Sequence, residues 1–282
     1  MIKIKLMGGM GNQMFQYATA RALGIKNGKN ITLNTNYFSN IPKGDTPRHF
    51  QLNVFNITGK GSNRKLDNIL FLLFFRYLPR IFPALRNEKK QIVLANKLLR
   101  FDLSAYLSGY FQNEKYFKDN RNTLLKEFTL NTKLSEEGKR MEKILRENQS
   151  VCLNIRRSDY LRPDYVKIYG ACTMEYYSLA LKYIYTKVEK PLICIFSDDP
   201  EWVKKEFKME NVIFAGNDIL KDYEQMYLMT QCKHNIIANS SFAWWGAWLN
   251  QNPNKIVIAP KQWFANKTAN ELDILPPEWI QF

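Results

Sequence analysis

Alternation opens the chain: Ile2, Ile4 and Leu6 alternate with Lys3 and Lys5, the period-two pattern of a strand with one buried face. Gly8-Gly-Met-Gly-Asn-Gln13 follows, and an apolar-rich helix is predicted from there to about Lys26, with Gly28 as its stop. Ile31 to Asn34 reads as a second strand, which completes a βαβ-like opening. Between residues 40 and 150 the pattern weakens, because Pro42, Pro47, Pro79 and Pro83 interrupt it. One polar helix stands out there, from Ser135 to Glu147. Beyond it the chain becomes regular. Short apolar strands are predicted at 151–155, 192–197, 211–214, 235–238 and 255–259, with helices at 174–188, 200–207, 222–232 and 242–250. This alternation predicts an α/β fold whose C-terminal part is a doubly wound parallel sheet. The charged stretch Glu147-Asn-Gln-Ser150 marks the domain boundary, giving an N-terminal domain of 1–148, a second of 149–265 and a tail of 266–282.

A length of 282 residues suits two modest domains, and 45% hydrophobic with 24% charged residues is ordinary globular composition. The charge is less ordinary. A formal +15 arises from 41 Lys and Arg against 26 Asp and Glu, spread along the chain without a basic tail. Such a field attracts nucleic acid, an anionic membrane surface or an anionic small substrate, and does not choose among them. The cysteines at 152, 172, 194 and 232 form neither a disulfide framework nor a zinc pattern, so reduced thiols in a cytosol are expected. Two histidines, His49 and His234, leave a histidine-rich metal site or a His-based triad little to draw on.

No signal-peptide core precedes the first strand, and no run reaches the ~18 apolar residues of a membrane span. The nearest is Ile69 to Phe75, followed by Arg76, Arg80 and Arg86. A buried helix is the expected reading, with an interfacial patch as the alternative. The expectation is a cytoplasmic protein with a candidate peripheral contact at the inner membrane.

Four constellations carry chemistry. The glycine loop lets backbone amides approach a phosphate or sugar at a helix start. It is not a dinucleotide fingerprint, because Met14 stands where Gly9-x-Gly11 would need its third glycine, and no acid follows the second strand. In Val151-Cys-Leu-Asn-Ile-Arg-Arg-Ser-Asp-Tyr160 a strand delivers Arg156, Arg157 and Asp159 to its carboxyl end. Paired guanidinium forks there suit a diphosphate, and an Arg157–Asp159 ion pair is the plainer alternative. In Ser197-Asp-Asp-Pro200, Asp199 precedes a helix-starting proline and reads as an N-cap, which leaves Asp198 as the candidate ligand. Two adjacent acids are weak evidence for a metal, and none is expected. Asn239-Ser240-Ser241 ends a strand before an aromatic helix, where hydroxyls and free amides form an anion site. Packing is the reading for Trp244, Trp245 and Trp248.

Gly8-Gly-x-Gly-Asn-Gln13, Arg156-Arg-x-Asp-Tyr160, Ser197-Asp-Asp199 and Asn239-Ser-Ser-Phe-x-Trp-Trp-Gly246 occur in the order seen in α-1,2-fucosyltransferases. The chain thus resembles glycosyltransferase family 11 over roughly residues 6 to 263. The resemblance implies a GT-B fold of two Rossmann-like domains facing a cleft and inverting transfer of fucose from GDP-β-L-fucose to the 2-hydroxyl of a β-galactoside. It also implies metal independence, no cofactor beyond the co-substrate and no nucleic-acid partner. Carried over by position, Arg156 and Arg157 hold the diphosphate. Asp159 orients them or serves as general base, with Asp164 as the second candidate and a base-poor, oxocarbenium-like path as the alternative. Ser240, Ser241 and Phe242 line the nucleotide with Asn239, and Gly8, Gly9, Gly11, Asn12 and Gln13 close the site. Two positions depart from the family pattern: Asn154 stands where a histidine is common, and Gln225 where an aspartate is common. Either Glu224 then supplies guanine recognition, with Asp198 and Asp222 next in line, or guanine selectivity is weaker.

Overall fold

The computed structural model describes residues 1–42, 44–62, 69, 87–215, 220–265 and 273–282, and of Lys60, Asp159 and Asp164 only the backbone. Apart from Ile69, the run Ile69–Phe75 and the arginines behind it lie outside the described residues. Two compact units divide the chain between Asn131 and Thr132.

In the first unit the opening pattern produces what it predicts. Strand β1, Ile2–Lys5, leads into α1, Met10–Asn27, and then into β2, Ile31–Asn34. Gly28 ends α1 in the left-handed region at φ 60°. Two further strands, β3 at Lys60–Ser62 and β4 at Ala105–Leu107, join a parallel sheet in the order β3-β2-β1-β4. Helix α2, Glu88–Arg100, precedes β4. Ile2, Ile4 and Leu6 are fully buried, so the alternating residues of β1 supply the centre of this core.

The second unit begins earlier than the charged stretch at 147–150. Helix α3, Glu136–Glu147, buries Met141 and Leu145 against Leu228 and Met229 of the second unit, so it is part of that core. Strands β5 (Ser150–Ile155), β6 (Leu192–Ser197), β7 (Val212–Phe214), β8 (His234–Ile236), β9 (Val257–Ala259) and β10 (Ile280–Gln281) form one sheet. Its order is β10-β9-β8-β5-β6-β7, parallel throughout. The end of the chain, expected as a tail, therefore contributes a strand, and Trp279 packs 5.4 Å from Trp244.

A parallel sheet covered on both faces needs apolar residues at every position, and β5 is buried throughout. Val151, Leu153 and Ile155 face helix α4, Met174–Lys187. Cys152 faces the opposite way, toward α3 and helix α6, Asp222–Gln231, together with Cys194 and Cys232. All four cysteines are free. From β5 the chain builds outward through β6 and β7, then returns to the other side of β5 with β8. The strand order thus reverses between β5 and β8, the place where open parallel sheets bind ligands beyond their carboxyl ends. Among the described residues no helix is long and apolar enough to cross a membrane.

Candidate active site

The two strands flanking this reversal deliver the polar residues singled out above. Arg156 and Arg157 leave β5, and each meets a carboxylate at the end of β6. Arg156 Nε lies 3.2 Å from Asp198 Oδ2, as an ion pair outside hydrogen-bonding geometry. Arg157 donates from its backbone amide to Asp198 Oδ1 at 2.9 Å and from Nε to Asp199 Oδ2 at 3.4 Å. Its guanidinium lies 3.8 Å above the ring of Trp202, in helix α5 (Pro200–Glu206). Asp199 caps that helix as expected, its Oδ1 accepting from Trp202 N at 3.3 Å, and holds Arg157 with the other oxygen. For the guanidinium groups the two acids act as separate braces, Asp198 for Arg156 and Asp199 for Arg157.

Across the switch point, Asn239 follows β8 and is 3% exposed. Its Nδ2 donates to the carbonyls of Tyr169, Gly170 and Trp263 at 3.0, 2.9 and 3.0 Å. Its own carbonyl accepts from Tyr160 at 2.9 Å. Burial raises the Tyr160 pKa, which keeps that phenol a donor, and the ring stacks on Tyr169 at 5.2 Å. Asn239 therefore fastens the loop after Arg157 to the strand end, and its carboxamide is committed to that task. Ser240 is the N-cap of helix α7, Ser241–Leu249, yet its side chain makes no capping hydrogen bond and the first turn holds no acid. The amides opening this helix are left for an anion. Phe242 packs partly against the core, and Trp244, Trp245 and Trp248 are buried.

In the first unit, Gly8 adopts φ 75°, and a Cβ there would lie 2.6 Å from Asn12 Nδ2. Only glycine fits such a position. Gly9 is the N-cap of α1, which carries no side-chain cap and no acid in its first turn; Gly11 is already helical. Gln13 is fully buried and braces the loop. Its Nε2 donates to Gly8 O at 3.0 Å and His49 O at 2.9 Å, while Oε1 accepts from Gln51 N at 2.9 Å. Asn12 Oδ1 accepts from Gln112 at 2.7 Å. Gln13 thus shapes the turn, and Gly8 and Gly9 present backbone.

One expected ligand, Glu224, stands differently from the sequence expectation. Glu224 is 1% exposed, and its oxygens accept from Ser135 N at 2.6 Å and Lys221 N at 3.1 Å. A carboxylate spent on two backbone amides is a brace between α6 and the start of α3, not a reader of a base. Burial pushes its pKa up, but those amides outweigh it and hold the carboxyl below its usual range. Gln225 is buried too and donates to Leu220 O at 3.0 Å. By contrast Asn154 and Asp198, at neighbouring strand ends, each keep a buried acceptor oxygen with no hydrogen-bond donor. The side chains of Asp159 and Asp164, the two base candidates, lie outside the described residues; the Asp159 backbone opens a 3₁₀ turn (Asp159–Leu161) and that of Asp164 lies in a short helical turn (Pro163–Val166). Tyr160 closes the arginine motif but its role was not legible there, and Trp202 was not singled out, because a phenol on a distant carbonyl and a cation over a ring leave no local pattern.

The assembled edge offers two fixed cations and an open helix start, an arrangement for binding a diphosphate and stabilising charge that develops on it. The family model described as Glycosyl transferase family 11 matches residues 1–282. Escherichia coli α-1,2-colitosyltransferase is 34% identical over 98% of this chain and 97% of its own. The Escherichia coli O-antigen biosynthesis glycosyltransferase WbnK is likewise 34% identical, over 98% of both chains. Mouse galactoside 2-α-L-fucosyltransferase Sec1 is 25% identical over 88% of this chain and 64% of its own. Among solved structures, the fucosyltransferase NodZ from Bradyrhizobium matches in fold with a TM-score of 0.50 at 11% identity, over 87% of this chain and 91% of that one. Two α/β units with parallel sheets are the GT-B architecture that the motifs imply.

Proposed function

The chain belongs to glycosyltransferase family 11, and from that premise we propose that it moves L-fucose from GDP-β-L-fucose to the 2-hydroxyl of a terminal β-galactoside with inversion. The observation that carries the reading is the pair of arginines at the β5 end, each guanidinium braced by its own carboxylate. An acceptor hydroxyl displaces GDP at the anomeric carbon, and negative charge grows on the diphosphate as the bond breaks. Arg157 and Arg156 meet that charge together with the amides opening α7, and fixed donors need no reorganisation at that moment. Because Asp198 and Asp199 are already engaged with the arginines, the reaction proceeds without a divalent cation. Asp159 is the first candidate for the general base and Asp164 the second.

Guanine presents N1–H and an exocyclic amine, both donors. Asn154 Oδ1, at the end of β5, is a buried acceptor without a hydrogen-bond donor, and we assign base recognition to it in place of Glu224. A second donor, GDP-colitose, is favoured by the identity to the colitosyltransferase. Colitose is fucose without its 3-hydroxyl, so the nucleotide site serves either sugar.

Thermal shift with a nucleotide panel, followed by transfer assays read by mass spectrometry, tests the proposal. GDP should raise the melting temperature more than IDP, which lacks the exocyclic amine, and more than UDP or NAD. GDP-fucose should fucosylate a galactoside in the presence of EDTA. A shift with UDP-sugars and none with GDP sinks the donor assignment. Transfer from GDP-colitose alone moves the sugar but keeps the site, and loss in EDTA with rescue by Mn²⁺ reinstates the acidic pair as ligands.

A further inference from the structure

The first unit presents a surface that nucleotide-sugar chemistry does not use. Helix α2 packs Gln91, Ala95 and Leu99 inward and turns Lys89, Lys90, Val93, Lys97 and Arg100 outward along one face. Its single acid, Glu88, is drawn to the other end, where Oε1 accepts from Tyr110 N at 2.7 Å and Phe111 N at 2.9 Å. The helix then closes tightly. Asp102 takes the left-handed conformation at φ 59°, and the amides of Asp102 and Leu103 bond back to Leu99 O at 3.2 Å and Leu98 O at 3.1 Å. This turn pushes two apolar side chains into solvent: Phe101 is 77% exposed and Leu103 53%, with Val93 at 58% on the stripe beside them.

Neighbouring elements extend the patch. Asn27 Nδ2 donates to Asn96 at 3.2 Å, which holds the last turn of α1, with Ile25 and Lys26, beside α2. Lys29 pairs with Asp102 and so neutralises it. Met1, 47% exposed, adjoins the start of β4 through a 3.0 Å bond from Ala105 N to its carbonyl. Exposed apolar tips thus gather at the amino edge of the first sheet, interleaved with cations. A lone exposed phenylalanine needs no explanation, but a basic stripe carrying clustered apolar tips does.

We propose that this surface docks the protein onto an anionic phospholipid bilayer. Charge decides the occupant. Among the described residues the cations of the stripe face out with no acid between them, so a second copy of the chain would meet like charge, whereas an acidic headgroup layer complements it and accepts Phe101 and Leu103 at interfacial depth. The glycine loop lies at the opposite end of α1, and 18 helical residues span roughly 27 Å. A docked first unit therefore holds that loop away from the lipid. The inference is independent of which sugar is transferred.

Co-sedimentation of the full chain with phosphatidylcholine vesicles, with and without phosphatidylglycerol, tests it. The parent should partition onto the anionic vesicles only, and less so as salt rises. Lys97→Glu with Arg100→Glu should lower the partition coefficient by roughly 25-fold or more, about fivefold for each cation removed. Phe101→Ser with Leu103→Ser should weaken binding while leaving its salt dependence. Both pairs lie on the surface, so unchanged melting temperatures and unchanged transfer to a soluble galactoside accompany these losses. No partition onto anionic vesicles overturns the proposal. So does parental binding by both double variants, or a dimer in solution that the Phe101 variant abolishes.

Discussion

The guanidinium of Arg157 is held twice, by the Asp199 carboxylate at Nε and by the face of Trp202. Lysine keeps the charge but neither stacks as a plane nor offers the fork. We therefore expect Arg157→Lys to lower kcat by about 10²–10³, the loss typical of one transition-state donor, with KM for GDP-fucose changing less. Trp202→Leu keeps both arginines and both acids and should cost about tenfold, within the reach of a partly desolvated cation–π contact. Steady-state kinetics on the two variants separates the effects. A Lys variant with parental kcat removes Arg157 from the reaction, and an unaffected Trp202 variant reduces the stack to packing. The arginine pair was legible in the sequence, since adjacent permanent charges at the end of an apolar strand have few structural uses. Its bracing was not, because Asp199 looked fully employed as a helix cap and serves two partners with its two oxygens.

Glu224 teaches the converse lesson at the level of elements. A glutamate three residues into a helix signals a capping box when serine or threonine precedes it. Here Lys221 occupies that position, so the signal was hidden and the carboxylate seemed available. Gly138, in the first turn of α3, makes room for it: a Cβ at Gly138 would lie 2.8 Å from Glu224 Oε1. Both Gly138→Ala and Glu224→Gln should destabilise the fold, the latter by about 1–3 kcal/mol for a buried amide left unpaired. GDP affinity, measured by titration, should stay at the parental value in each. The pH dependence has a definite sign. Glu224 sits below its ordinary value of 4.5, so the unfolded chain binds the proton first as pH falls. Its contribution is complete above that value and lost as pH drops through the lower, folded one, so acid should depress the melting temperature of the parent more steeply than that of Glu224→Gln. Weak GDP binding by the Gln variant would return the base to Glu224. Elsewhere β5, β6 and α4 carry full periods of buried residues and were readable, and the short β7, β8 and β9 were readable as apolar runs between helices, whereas β3, β4 and β10 lie outside that alternation and are too short to display a period.

At the scale of the whole chain, each unit has its own parallel sheet, and every described residue assigned to the diphosphate and the base lies in the second. A fragment spanning Thr132–Phe282 should therefore fold and bind GDP, gaining about 2.7 kcal/mol of stability at a hundredfold excess over Kd, but transfer no sugar. Calorimetry on the fragment tests this, and a fragment that folds yet ignores GDP would place part of the nucleotide site in the first unit. The boundary matters to that design, because a cut at the charged stretch would strip α3 from the core it helps to fill. Aromatic distribution across the chain has a further consequence. Of six tryptophans, Trp244, Trp245, Trp248, Trp263 and Trp279 are buried, and only Trp202 is partly open to solvent, beneath the Arg157 guanidinium. An aqueous collisional quencher such as iodide would thus sample one indole almost alone. Occupancy of the anion site would then register as a change in accessible fluorescence, so the protein carries its own optical reporter within a few ångströms of the group whose movement matters.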